Sequence, residues 1–531
     1  MDKKWWTLIA VCTGTFMLLL DITVVNVALP DIQRSLHASF ADLQWVIDAY
    51  SLTLAAFLLT AGVVGDMFGR REVFAIGLGI FSISSLLCGL STSSLMLNLS
   101  RGTQGVGGAI MFATSLALIA QAFQGRDRGT AFGIYGAVIG GAVAVGPLIG
   151  GVITSGIGWR WIFFVNLPIG AVAIFTTLTR IEESKDPNSR RVDWIGFISF
   201  SASLFLLVFA LVRGNNEGWS STTILALLAG SGALMIVFLI AELGQKDPML
   251  DLSLFRRPAM VGVSIASFAI AASIFAMFLY QTLYLQDVLG YGPLAAGLRF
   301  LPITVLAFIA APVAGKLTVR FHSRYLMGLG LLLVAIGCFL MSHTAADSTW
   351  TVLLPGFIVA GLGIGMSNPV MASASVAVVP HERSGMASGS ANTFRQVGIA
   401  TGIAGLGAIY QSQILQKTLG TLGQSATGRQ VVAGGGSQLH QAITEGGVRG
   451  AAAHIPAPGA GNVLLHAYQV GFTSTFNHLM VISTFVALAG SAAAFGLVRQ
   501  RDFVLNQAPG RAGAVPGPEA AAPEPAVAPA R

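Results

Sequence analysis

Charge is the scarcest property of this chain. Only 10% of its 531 residues are Asp, Glu, Lys or Arg, against roughly a quarter in soluble proteins. With 54% hydrophobic residues, that shortage excludes a soluble globular protein and indicates many membrane crossings. Long polar segments are scarce too: stretches of roughly 20 apolar residues, each able to cross about 30 Å of hydrocarbon, follow one another at short intervals. The runs are continuously apolar rather than alternating, which predicts helices and excludes a barrel. Cysteine is nearly absent, and Cys12, Cys88 and Cys338 all lie inside apolar runs, so no disulfide framework is expected. No Gly-x4-Gly-Lys-Ser/Thr phosphate loop occurs, which argues against ATP as the driver. Metal-ligand spacing, a nucleophile elbow and a folded soluble domain are missing as well, so neither an enzyme nor a metal or cofactor site is expected.

What is present begins with glycine, 64 residues of it, which suits close approach of membrane helices. The opening "MDKKWWTLIAVCTG" reads as the start of a first helix, since no small-residue cleavage site follows its apolar run. Apolar windows predict fourteen spans: 7–29, 44–64, 73–92, 96–121, 130–155, 161–180, 193–213, 222–242, 259–283, 294–318, 325–344, 350–377, 386–411 and 471–498. An even number puts both termini on one side. That side carries about 21 Lys and Arg, the other about 7, so the positive-inside rule places both termini in the cytoplasm. The net charge of +7 is dispersed over short loops and reflects orientation rather than a nucleic-acid partner. Residues 413–468 are expected as a flexible outer loop, and the Pro/Ala-rich 501–531 as a disordered cytoplasmic tail.

An internal repeat is visible. "QGVGGAIM" (104–111) and "AGLGIGMS" (360–367) align, Gly105 and Gly107 matching Gly361 and Gly363. "DRGTAFG" (127–133) resembles "ERSGMASG" (382–389) at nearly the same offset. Two homologous halves follow: a six-helix bundle over 1–185, two inserted helices over 186–250, and a second six-helix bundle over 251–500. The expected substrate site lies between the halves near the midplane.

Ionisable residues at membrane depth are costly and usually functional. Asp21 in "LLLDITVVNVALP", Asp48 in "QWVIDAYSL" and Arg101 in "LNLSRGTQGVGG" each sit roughly 6–10 Å below the outer surface by helix rise. A static Asp21–Arg101 ion pair is one reading, and a solvated helix-start acid is one for Asp48. The other is a switch, in which protonation of a carboxylate releases what its charge held. Asp48, Asn26 and Gln104 are candidate substrate contacts from the first half. From the second half come Phe275, Phe278, Tyr280, Gln281 and Tyr284, an aromatic set suited to flat or cationic ligands. Asn392 and Arg395 in "ANTFRQVG" form a polar cluster, either an interhelical clamp or an anion contact.

Between the second and third spans, "AGVVGDMFGRREVF" carries Gly62, Asp66, Gly69, Arg70 and Arg71, a spacing that puts an acid at a helix end and two basic residues on a tight turn. The arginines are expected to pair with loop acids such as Asp127, next to Arg128. The aligned position in the second half is Val319, so the motif is complete only in the first. In "GIYGAVIGGAVAVGPLIGG" (133–151), Gly136, Gly140, Pro147 and Gly151, with Gly146 and Gly150 beside them, give a bald, kinked helix face.

Together these stretches resemble the major facilitator superfamily, specifically its fourteen-helix drug:proton antiporters. "LDITVVNVALP" is similar to the helix-one signature, "GVVGDMFGRR" to the loop motif and "RGTQGVGG" to the helix-four motif. "GAVIGGAVAVGPLIGG" is similar to the antiporter helix-five motif, and "WRWIFFVNLPIG" (159–170) to the start of helix six. The resemblance implies that Asp21 is the coupling acid, Arg101 its partner, and Gly146–Pro147 part of a helix that controls leakage. It implies a multi-pass protein of the cytoplasmic (inner) membrane, a monomer, that exports hydrophobic, cationic compounds in exchange for protons. Alternatives are a dedicated exporter of one natural product, lipid or siderophore, and a proton symporter.

Overall fold

The computed structural model describes residues 2–503 apart from 124, 184–192, 246–247, 249, 319, 379–383, 446–447, 454, 456–458 and 500–501. Val319 and the tail expected to be disordered lie outside the described residues, as do the side chains of Asp66 and Arg128 and the surroundings of Gly136 and Gly140.

All regular structure among the described residues is helical. The helices are α1 (Lys3–Leu36), α2 (Phe40–Phe68), α3 (Arg70–Gly89), α4 (Ser94–Ala122), α5 (Gly125–Gly156) and α6 (Trp161–Arg180, interrupted at Val165). Next come α7 (Trp194–Glu217), α8 (Thr222–Gly244) and α9 (Pro258–Val288). The bent pair Pro293–Arg299 and Leu301–Leu317 forms α10, followed by α11 (Ser323–Met341), α12 (Leu354–Ala377) and α13 (Ser384–Leu422). A long α14 (Ala460–Leu497) ends the fold. Ten helices among the described residues are long and apolar enough to cross a membrane, eleven with the bent pair. Helices α2, α5 and α13 add lengths of 29, 32 and 39 residues.

Local chemistry sets several boundaries. Ser39 and Asp42 exchange hydrogen bonds in a capping box that starts α2. Gly69, at φ 119°, makes the α2–α3 turn in a backbone region that side chains disfavour. Helix α9 contains two π-type turns, Ala271–Phe275 and Tyr284–Val288, a distortion frequent at functional sites.

Packing repeats along the chain. Helices α1 and α5, α2 and α4, α3 and α4, and α3 and α6 pack together; so do α9 and α13, α10 and α12, α11 and α12, and α11 and α14. The aligned glycines explain why. A Cβ at Gly107 would stand 2.8 Å from the Gly77 carbonyl of α3, and one at Gly363 2.5 Å from the Gly330 carbonyl of α11. Gly105 meets the backbone of α2 as Gly361 meets that of α10. Helices α7 and α8 pack chiefly on each other, with α7 also against α2 and α13. Exposed Leu225, Ile236, Val237, Ile240 and Leu243 on α8 form an apolar surface suited to lipid.

The core is divided by depth. One cluster joins the remote ends of α1 and α2, including Val24, Ala28, Leu29, Leu43 and Ile47, to α9–α14. A second, with Leu8, Val11, Phe74, Phe123 and Tyr135, stays within the helices nearest the N-terminus. Hydrogen bonds between the two sets follow the same division. Gln44 Nε2 donates to the Ile403 carbonyl at 3.0 Å, Gln286 Nε2 to that of Val27 at 2.8 Å, and the Leu294 amide to Ser155 Oγ at 2.9 Å. The two sets are therefore sealed together on the side remote from the termini.

The segment 413–468, expected as a flexible loop, is mostly helical. Helix α13 runs on to Leu422, two helices span Ala426–Glu445 and Val448–Ala453, and α14 begins at Ala460. Leu439, Ile443 and Val448 are buried, and Arg449 donates to the carbonyls of Asp287 and Val288 at 2.8 and 2.9 Å, tying the segment to the end of α9. Its alanines, glutamines and leucines are good helix formers, which outweigh its glycines once an apolar face is covered.

Candidate coupling site in the membrane interior

Asp21 projects from the middle of α1 and is 2% exposed; Arg101, from α4, is 1% exposed. Arg101 Nη1 lies 2.5 Å from Asp21 Oδ2. The same nitrogen donates to Gln104 Oε1 at 2.7 Å, while Gln104 Nε2 donates to Asp21 Oδ1 at 3.0 Å. The i, i+3 spacing of Arg101 and Gln104 puts both on one face of α4, so the pair grips the carboxylate as a unit. Asn166 Nδ2, on α6 just past its break, adds a bond to Asp21 Oδ1 at 3.1 Å and one to Ser85 Oγ of α3 at 3.0 Å. Arg101 also reaches α2: its Nε donates to the Val46 carbonyl at 3.0 Å, and its guanidinium lies 4.3 Å from the centre of the Tyr50 ring. One carboxylate thus gathers donors from α4 and α6 and, through Arg101, holds α2. Removing one member of such a buried pair leaves an uncompensated charge, at a cost of about 3–5 kcal/mol.

Asp48 has the opposite surroundings. It is wholly buried, yet neither carboxylate oxygen has a hydrogen-bond partner. Its α2 neighbours one turn away show where it faces: Gln44 bonds α13, and Leu52 packs with Ala400 and Ala404 of α13. The reading as a solvated helix-start acid is therefore corrected, because α13 covers the position.

The other expected residues separate into groups. Gln104 belongs to the Asp21 network. Asn26 donates to its own helix, to the Ile22 carbonyl at 3.0 Å. Phe275 and Phe278 are half-buried with ring centres 5.9 Å apart, and Arg395 stands 4.9 Å from the centre of the Phe275 ring. Tyr280, Gln281 and Tyr284 are buried instead of lining a pocket. Tyr280 Oη donates to the Ile403 carbonyl at 3.3 Å, Gln281 Nε2 lies 3.7 Å from Met341 Sδ, and Tyr284 stacks on Phe476 at 5.3 Å. Asn392 lies half-buried one turn before Arg395 on α13.

The bald face of α5 meets α1 and α10. A Cβ at Gly146 would collide with Thr23, one at Gly150 would stand 2.9 Å from the Val24 carbonyl, and one at Gly151 2.8 Å from that of Pro293. The Pro147 carbonyl is in turn close to Gly297 of α10.

At the end near the termini, pairing differs from expectation. Asp127 binds Lys4 Nζ at 2.8 Å rather than the turn arginines. Glu183 takes that place: its carboxylate accepts from the backbone amides of Arg71 and Glu72 at 3.0 and 3.2 Å, and Arg71 Nε lies 3.6 Å away. A carboxylate on the first amides of α3 offsets the positive end of the helix dipole. Arg70 opens α3 at this turn, and Gly62 lies inside α2. Beside it Lys3 binds Glu182 at 2.8 Å, and that hydrogen bond holds the Glu182 carboxyl below its ordinary range.

Sequence reasoning missed Asn166, Ser85 and Tyr50. Asn166 was within reach as an amide inside the apolar "WIFFVNLPIG"; Ser85 and Tyr50 gave no signal among many similar residues.

Comparison with known proteins agrees with this architecture. The model of the Major Facilitator Superfamily matches residues 11–403. The multidrug resistance protein Stp of Mycobacterium tuberculosis is 36% identical over 404 residues, 76% of this chain and 75% of that one. The tetracenomycin C resistance and export protein of Streptomyces glaucescens is 34% identical over 416 residues, covering 78% and 77%. The puromycin resistance protein pur8 of Streptomyces alboniger is 36% identical over 413, covering 77% and 82%. Among solved structures, a bacterial homologue of the human lysosomal transporter Spinster, in an inward-facing, unoccupied conformation, superposes with a TM-score of 0.60 at 19% identity, over 95% of this chain and 98% of that one. A helical fold with repeated packing, a charge network sunk at membrane depth, and this family match over most of the length lead to one conclusion: the chain is a multi-pass membrane protein of the Major Facilitator Superfamily.

Proposed function

We propose that the protein exports hydrophobic, drug-like small molecules across the cytoplasmic membrane in exchange for protons, as a monomer working by alternating access. The observation that carries this reading is the Asp21 network: a buried carboxylate whose charge gathers Arg101, Gln104 and Asn166 from two other helices. Protonation of Asp21 removes the charge these donors answer. Arg101 then loses its counter-ion, and its hold on α2 through the Val46 carbonyl changes with it. A proton therefore acts on the position of a helix that packs across the two halves. The family's members are carriers rather than enzymes, and the relatives' names include multidrug resistance and antibiotic export.

In this reading the long helices are fourteen spans, α1–α6 and α9–α14 forming two bundles with α7 and α8 inserted, and both termini in the cytoplasm. The repeated packing and the bias of basic residues support it. The sealed side then faces outward, which makes this an inward-opening state. A cationic preference, expected from the sequence, needs a carboxylate that the substrate can reach; here Asp21 is bound by Arg101 and Asp48 is covered by α13. A second reading, a dedicated exporter of one natural product, is favoured by relatives named for tetracenomycin C and actinorhodin.

Everted membrane vesicles test both. Adding an exported compound to vesicles with an acid interior dissipates the gradient if transport is coupled to protons, and Asp21→Asn abolishes that response. A panel of dyes, quaternary ammonium compounds and antibiotics separates broad from dedicated export.

A further inference from the structure

The arginines of α4 and α13 lie in different surroundings. Arg101 directs its donors at Asp21, Gln104 and the Val46 carbonyl. Arg395 has nothing comparable. Among the described residues neither a carboxylate nor a hydrogen-bond acceptor meets its guanidinium, whose neighbour is the Phe275 ring, 4.9 Å to the centre.

The helices around it carry no acid that could complete a pair. Helices α10–α14 contain no Asp or Glu, and α9 has only Asp287, about 18 Å beyond Phe275 by helix rise. From α1 and α2, Asp21 is bound by Arg101, and Asp48 meets no donor. Position makes the unanswered charge usable. Helix α13 is sealed against α2 and α9 at the Ile403 carbonyl, which accepts from Gln44 and Tyr280. Arg395 lies about 12 Å along α13 from that seal, toward the end nearest the termini, on the unsealed side. It is half-buried there, as are Asn392, Gln396, Phe275 and Phe278. Asn392, Arg395 and Gln396 stand at i, i+3 and i+4 and so share one face of α13. Gln396 Oε1 has no hydrogen-bond partner, and the two phenyl rings lie 5.9 Å apart.

A charge at membrane depth without a counter-ion is costly, and such a residue is retained for what it binds. A guanidinium offers a planar fork of N–H donors that fits a carboxylate with two parallel bonds. An organic cation would meet like charge here. We propose that Arg395, with Asn392, Gln396 and the Phe275 and Phe278 rings, is the anion-recognising part of the substrate site, and that the preferred cargo is a flat aromatic acid, a carboxylate or phenolate on a ring system. An anion leaving and a proton entering both move with an inside-negative membrane potential, whereas a cation leaving opposes it. Calling the ligand a cargo rests on the exporter reading; its binding does not.

The test therefore reads binding without transport. Fluorescein and tetramethylrhodamine methyl ester share one xanthene frame, the first an anion at mildly alkaline pH, the second a cation. Fluorescence anisotropy follows each dye on the full chain in nanodiscs of zwitterionic lipid, against empty nanodiscs. The wild type should bind fluorescein about tenfold more tightly or better, as a charge-assisted hydrogen bond implies. Arg395→Gln should lose about that factor for fluorescein and none for the rhodamine, while Arg395→Lys, charged but without the fork, falls between. Equal or tighter binding of the rhodamine by the wild type, or no binding of fluorescein, overturns the proposal, and this comparison needs no variant to fold. So does an equal loss of both dyes in Arg395→Gln, the mark of a merely structural arginine. Failure of the exporter reading would appear instead as absent proton exchange in everted vesicles, with the dye preference intact.

Discussion

Asp21 and Asp48 lie on neighbouring helices at similar depth, yet their surroundings are opposites. One is met by three side chains from two other helices; the other, equally buried, is met by none. Depth explains neither arrangement. What separates them is the partner across the interface. Asp21 looks into the helices nearest the N-terminus, where polar residues on α4 and α6 are fixed against it. The α2 neighbours of Asp48, Gln44 and Leu52, meet a stretch of α13 built of Ala400, Ile403, Ala404 and Gly407. A carboxylate inside one group of packed helices is stabilised by permanent donors. In the exporter reading, one on a surface that parts and rejoins has only the donors that each state supplies.

The largest effect expected from breaking this contrast is at Arg101. Arg101→Ala leaves the Asp21 charge buried and unpaired, and unfolding in detergent should show a loss of about 3–5 kcal/mol. Asp21→Asn with Arg101→Gln should recover much of it, since both charges leave together. Removing the Asn166 amide by Asn166→Ala takes one donor from Asp21 and one from Ser85, at about 1–3 kcal/mol on the same assay. Asp48 should respond with the opposite sign: Asp48→Ala leaves thermal stability unchanged or raises it, and a clear loss would mean that the carboxylate has a partner in solution. The smallest effect is at the surface pair Lys3–Glu182. Lys3 lowers the Glu182 proton affinity, so whatever the pair contributes is present at neutral pH and fades as pH falls through the folded-state value. Lys3→Gln should therefore leave the melting temperature within error at every pH, because exposed pairs are screened by solvent.

Much of this was legible in the sequence, for identifiable reasons. Depth and spacing along a helix depend on rise per residue, so Asp21, Arg101 and Gln104 could be placed on facing positions before any coordinates. The repeat was equally legible, because Gly105, Gly107, Gly361 and Gly363 are fixed by backbone contacts that admit no side chain. What could not be read depends on contacts between distant segments. The Asn166 amide becomes a ligand of Asp21 only because α6 breaks at Val165 and packs on α1 and α3. Asp127 meets Lys4 and not the turn arginines because the start of α1 lies beside α5. Tyr280 and Tyr284 resemble a pocket wall in a list of aromatics, but α13 and α14 cover them, Tyr280 donating to the Ile403 carbonyl and Tyr284 stacking on Phe476. Composition alone also misjudged 413–468, where good helix formers outweigh the glycines by covering an apolar surface.

Proton release on ligand binding tests the coupling role of Asp21 most directly. Purified protein in weakly buffered detergent solution is mixed with a dye that it exports, and the pH is followed. Exchange of proton for substrate at Asp21 predicts proton release in proportion to the Asp21 protonated before dye is added, at most one per dye bound, and none from Asp21→Asn once that variant is shown to fold and to bind dye. Equal release from both proteins, or none from the wild type while dye binds, would contradict it.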